Sequence, residues 1–129
     1  MARVLVIMPV RIDENSEAKR AAIAKAFGDD ALLPKVVETN DPQDFDLLEA
    51  IGKLKEAKLV IADLSFERPS CYYELGMAQA LGLPTILLAQ EGTRLYQHSG
   101  SVTFYKDLEE FQQIVEAASV EYANEHGDR

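Results

Sequence analysis

A chain of 129 residues, 47% apolar and 27% charged, has the size and composition of one ordinary globular domain, and residues 1–129 are expected to form a single unit. A formal charge of -9 argues against binding polynucleotides, whose backbones are neutralised by basic surfaces, but leaves room for a small phosphorylated ligand held by one or two arginines and backbone amides. No apolar stretch is long enough to cross a membrane, and a single cysteine, Cys71, allows neither an internal disulfide nor a site built from several thiolates, so a reducing, cytoplasmic setting with no metal or cofactor is expected.

The apolar run at residues 4–10 is too short for a signal-peptide core with its cleavage site and reads as a buried first strand. Helical spacing follows over residues 17–27 and stops at Gly28, and a second strand is expected at residues 33–37. A helix over residues 44–57 sets Phe45, Leu48, Ile51 and Leu54 on one face. The third strand, residues 59–64, leads through a polar loop into a helix over residues 71–81, with Ser70 as N-cap and Gly82 and Pro84 as the stop. Strands at residues 85–89 and 102–105 come next. The last helix starts at Asp107, whose side chain caps it while Glu110 completes a capping box, and its apolar stripe runs through Leu108, Phe111, Ile114, Val115 and Ala118.

Strands rich in Val, Ile and Leu on both faces, alternating with helices, predict an α/β fold: a flavodoxin-like doubly wound five-stranded parallel sheet, order 2-1-3-4-5, with helices on both faces. In such a sheet the ligand crevice opens at the carboxyl ends of strands 1 and 3, where the strand order reverses. The loops of interest are therefore residues 9–16 and 65–70.

Glu74 stands at or just after the first turn of the third helix, where the helix dipole favours an ionised carboxylate; facing the crevice it is a competent nucleophile, and facing away it only complements the dipole. Asp63, ending the third strand, either meets ribose hydroxyls or caps its own loop with Ser65. Pro9 opens the first crevice loop, and Arg11 and Arg68, one on each loop, are candidates for a phosphate clamp, the alternative being solvated surface charges. The helix N-terminus at Ser70 can also receive a phosphate. Of Tyr72 and Tyr73, one packs on the sheet and the other orients the carboxylate or stacks on a base, and Tyr73 is placed with the substrate-binding set. Met8 and Met77 read as core, Cys71 as a buried inert thiol and His98 as a surface imidazole.

The string Ile61-Ala-Asp-Leu-Ser65, then Pro69-Ser-Cys-Tyr-Tyr-Glu-Leu-Gly-Met-Ala78, then Ala80-Leu-Gly-Leu-Pro84 resembles the strand-loop-helix signature of the nucleoside 2-deoxyribosyltransferase superfamily, which includes deoxynucleoside 5'-monophosphate N-glycosidases and TIR-like nucleotide-binding proteins. The opening Val6-Ile-Met-Pro-Val10 is similar to the first strand and loop of the TIR-like branch. The resemblance implies a single domain of that kind acting on a nucleoside or nucleotide, with Glu74 attacking the anomeric carbon, expelling the base and forming a glycosyl-enzyme. It also implies a homodimer or larger homo-oligomer, with the apolar stripe of the 44–57 helix and the acidic last helix as candidate contacts. The transferases and monophosphate hydrolases carry an aspartate on the preceding helix to protonate the leaving base; here that position is Ala50, with Asp46 and Glu49 nearby. Either Asp46 or Glu49 protonates the base from an altered helix, or protonation is not part of the work, which suits cleavage of an already cationic nicotinamide or a module that binds nucleotides without catalysis.

Overall fold

The computed structural model describes residues 3–10, 12–34, 47–95 and 101–126. Its elements in chain order are β1 (Arg3–Ile7), α1 (Ser16–Phe27), β2 (Ala31–Leu32), α2 (Leu47–Glu56), β3 (Ala57–Asp63), α3 (Pro69–Ala80), β4 (Thr85–Gln90), β5 (Val102–Tyr105) and α4 (Leu108–His126). All strand pairings are parallel and the sheet runs β2-β1-β3-β4-β5, the doubly wound flavodoxin-like order.

Period-two alternation divides each central strand between two core layers. Val4, Val6 and Met8 of the first strand segment, with Ile61 and Leu88, pack under α1 and α4 through Ile23, Phe27, Phe111, Val115 and Tyr122. Leu5, Ile7, Val60, Ala62 and Leu87 turn to the other face, under Leu54 of α2 and Cys71, Leu75 and Ala78 of α3. No described helix is long and apolar enough to cross a membrane.

Several local expectations change. β2 is only Ala31–Leu32; Leu33 and Pro34 follow it, and residues 35–37 lie outside the described residues. On α2, Leu48 is 79% exposed, whereas Ala50 and Leu54 are buried; Phe45 lies outside the described residues. Steps of three residues drift by about 60° each around a helix, so a stripe read as 45, 48, 51 and 54 cannot stay on one face, and Leu48 sits about 200° from Ala50. Ser70 is not the cap of α3: Arg68 holds that position in extended backbone (φ -71, ψ 130), with no side-chain cap bond, and Pro69 begins the helix. Proline is pre-organised for the first helical position and forces its predecessor into extended backbone, which moves the start two residues earlier than expected. The α4 box forms with one shift: Asp107 Oδ1 accepts the Glu110 N–H at 2.9 Å, while Glu110 Oε1 reaches past the cap to the Lys106 N–H at 2.7 Å.

Candidate functional site

The last β1–β3 ladder pair joins Ile7 to Ala62, and beyond it the two strands part into separate loops. Between these loops lies an open cleft of about 370 Å³ lined by Met8, Pro9, Val10 and Ile12 on the β1 side and by Arg68, Ser70 and Cys71 on the α3 side. One wall is apolar. The other offers the Arg68 guanidinium and the start of α3, where Pro69 has no N–H and the Cys71 and Tyr72 N–H groups donate to the Arg68 carbonyl at 3.0 and 3.3 Å. Arg11 and His98 lie outside the described residues.

The turn joining β3 to α3 is strained. Phe66 (φ 67, ψ -2) and Glu67 (φ 49) both hold left-handed backbone without being glycine. Two bonds secure it: the Glu67 N–H donates to the Leu64 carbonyl at 3.1 Å, and the Tyr72 hydroxyl donates to Glu67 Oε1 at 2.7 Å. Strain of this kind persists where surrounding structure imposes it, and here it delivers Arg68 and Ser70 to the cleft wall.

Glu74 follows Ser70 by four residues and Cys71 by three, so it shares their face of α3 one turn further in. It is half-buried and is not among the residues lining the cleft. Burial pushes its carboxyl above the ordinary value, and Lys53 on α2 pulls partly against that shift. The Cys71 thiol is pushed up to about 12 by burial, then by the charges of Glu74 and Asp63, which fits an unreactive thiol. Ala50 is buried and brings no proton donor. Tyr72 packs against the core layer beneath α3, while Tyr73 is 55% exposed and stands apart from the cleft lining.

Asp63 and Ser65 are buried behind the cleft in a polar network that sequence reasoning did not find as a unit. Lys19 Nζ, 2% exposed, donates to Asp13 Oδ2 at 2.5 Å, to Asp63 Oδ2 at 3.0 Å and to the Tyr105 hydroxyl oxygen at 2.6 Å. Tyr105 donates to Asp63 Oδ2 at 2.8 Å; Asp63 Oδ1 accepts the Ser65 N–H at 3.1 Å and the Ser65 hydroxyl at 2.7 Å. Ser65 Oγ also accepts the Gln90 N–H at 2.8 Å. The four acceptor positions of Asp63 are thus taken inside the protein, and of its two roles the loop cap with Ser65 is the one the geometry displays. A ribose contact at Asp63 has no free lone pair to use. The signal that would have revealed Lys19 is positional: Ser16, Lys19, Ile23 and Phe27 form the buried stripe of α1, so the lysine occupies a place where helix periodicity calls for an apolar side chain.

No protein-family model and no curated protein matches the chain. Among the described residues no group of three or more His, Cys, Asp or Glu side chains is placed to hold a metal ion.

Proposed function

We propose that the protein binds a nucleoside or nucleotide in the cleft between the β1 and β3–α3 loops and cleaves or transfers its N-glycosidic bond through Glu74. The observation that carries this reading is the order of groups along one face of α3. Ser70 and Cys71 stand on the cleft wall with Arg68 just before the helix, and Glu74 lies one turn, about 5.4 Å, beyond Ser70. That separation is on the scale of the distance between a nucleotide's 5'-phosphate and its anomeric carbon, so a phosphate at the mouth directs the sugar toward the carboxylate. In the reaction, a Glu74 oxygen forms a bond to the anomeric carbon as the bond to the base breaks and its electron pair leaves with the base; water or a second base then takes the sugar.

Two observations bear on the substrate and on catalysis itself. With Ala50 buried where an acid is needed, a base that must be protonated to leave is at a disadvantage, and an already cationic leaving group such as nicotinamide is favoured. Glu74 standing outside the cleft lining favours a second reading, a nucleotide sensor without turnover. Chromatographic detection of free base from nucleosides, deoxynucleoside monophosphates and NAD tests both. Release that disappears in Glu74→Ala is the expected result; binding by calorimetry without release supports the sensor, and neither binding nor release ends the reading. An assembly of two or more copies belongs to the same proposal, with the exposed Leu48 as the apolar group offered to a partner, and light scattering at micromolar concentration tests it.

A further inference from the structure

Beyond the last β1–β3 ladder pair, Ile7 with Ala62, the two walls of the cleft need something else to hold them at a fixed separation. Leu64 continues by donating to the Leu88 carbonyl of β4, at 2.8 Å, and so does not bind the β1 loop. A polar link does span the gap: Asp13, the residue after cleft-lining Ile12, accepts from Lys19, and Lys19 donates to Asp63, two residues before the strained turn that leads to Arg68. At its β1 end the link is braced. The Asn15 N–H donates to Asp13 Oδ1 at 2.8 Å, and Ser16 Oγ donates to the Val10 carbonyl at 2.7 Å.

We propose that this buried Asp13–Lys19–Asp63 link is a clamp that sets the opening of the cleft, with Lys19 and Asp13 as positioning residues for whatever the cleft holds. The proposal stands on the geometry alone and does not depend on which ligand is bound. Charge counting identifies the arm that can be released. Two carboxylates face one ammonium, and the extra negative charge sits at Asp13, beside the N-terminus of α1, whose dipole offsets it. Removing Asp13 leaves a neutral Lys19–Asp63 pair with Tyr105 still bonded to both, so the interior keeps its compensation while the β1 loop loses its tie. Removing Lys19 instead leaves two carboxylates facing each other, which strains the whole fold.

Cys71 provides the readout: it is the chain's single cysteine, it lines the cleft, and it is only 5% exposed, so a thiol reagent reaches it when the cleft opens. In Asp13→Ala, labelling by a chromogenic disulfide reagent without denaturant should rise roughly tenfold or more, the scale of a lost charge-assisted bond, and should stay flat in low urea because the opening is local. Val115→Ala, in the core layer under α4, lowers global stability without touching the clamp and should change this rate by less than about twofold. Asp13→Asn keeps the shape and weakens the bond by removing its charge, and should show the same effect in smaller measure even if the alanine variant folds poorly. The clamp is overturned if both Asp13 variants label at the wild-type rate, if Val115→Ala matches their increase, or if the increase climbs with urea at the slope of global unfolding. Absence of any nucleotide binding would remove the proposed function and leave this result untouched.

Discussion

Two sets of polar side chains lie a few residues apart at the carboxyl end of the sheet, and they are built on opposite terms. In the Lys19 network all three ammonium hydrogens and all four acceptor positions of Asp63 are used, and every member is nearly sealed from water. On the cleft wall, Arg68 is exposed and its guanidinium makes no hydrogen bond or ion pair among the described residues, while α3 presents its first turn without a side-chain cap. A little further in, Glu74 is held half-buried at a cost to its ionised form. Saturated polar groups hold the fold together; groups left open, or held against their preference, are the ones with something to offer a ligand.

Substitution should separate the two sets by sign as well as size. The largest effect is expected from Asp63→Ala, which leaves Lys19 paired with Asp13 but takes the acceptor from the buried Tyr105 and Ser65 hydroxyls and the Ser65 N–H, at about 1–3 kcal/mol for each donor left unsatisfied. Urea unfolding with an unchanged slope and a much lower midpoint is the expected result; a midpoint near wild type would mean that the network contributes little to the fold.

Alkali should act on the same network next. Burial and the Asp63 charge push Tyr105 from 10 up to about 12, against the bonds from Lys19 and Ser65. For Lys19, burial pulls the ammonium down, but the Asp63 charge and the bonds to Asp13, Tyr105 and Asp63 more than reverse it, raising it above its ordinary value. Both groups are held protonated by the fold, so their contribution is complete below pH 10 and is lost as pH rises from there through about 12. Tyr122, bonded to Asp30 and buried at the far end of the sheet, is also pushed up to about 12. Thermal melts across this window with Tyr105→Phe assign that tyrosine's share: a loss of stability identical in the variant and wild type would place the effect at Lys19 or Tyr122 instead.

On the cleft wall the effect should be on affinity. Arg68→Ala should weaken a nucleoside monophosphate by roughly tenfold or more, the equivalent of one charge-assisted contact, and leave the nucleoside nearly unchanged. Equal losses for both ligands in calorimetry would remove Arg68 from phosphate recognition. The smallest change should be a gain: Glu74→Gln relieves a carboxyl whose folded value is raised by burial above 4.5, so the melting temperature should rise slightly at pH 7 and not at about pH 3, where the group is protonated in both states. A loss of stability at pH 7 would make Glu74 a structural residue.

The legible parts of the fold are those governed by local pattern. Continuous apolar runs marked β1, β3 and β4, Gly28 and Gly82 marked helix ends, and the Asp107 and Glu110 spacing marked the start of α4. The cleft loops followed from the strand order and lie where the switch-point rule puts them. Illegible were features in which a long-range partner overrides local preference. The cap that Asp63 makes with Ser65 was one of the two readings the sequence offered; what the sequence did not offer was the arrival of Lys19 and Tyr105, 44 and 42 residues from Asp63 in the chain, which takes up its remaining lone pairs.

The sequence by itself determined the order of elements, the parallel sheet and the two loops that meet at its switch point, because hydrophobic periodicity and turn chemistry act over a few residues at a time. Tertiary structure alone decided which polar residues face the cleft and which are consumed in the interior. A carboxylate's role depends on how many of its lone pairs are already taken, and that count is set by side chains that are distant in the chain and adjacent only once the fold has formed.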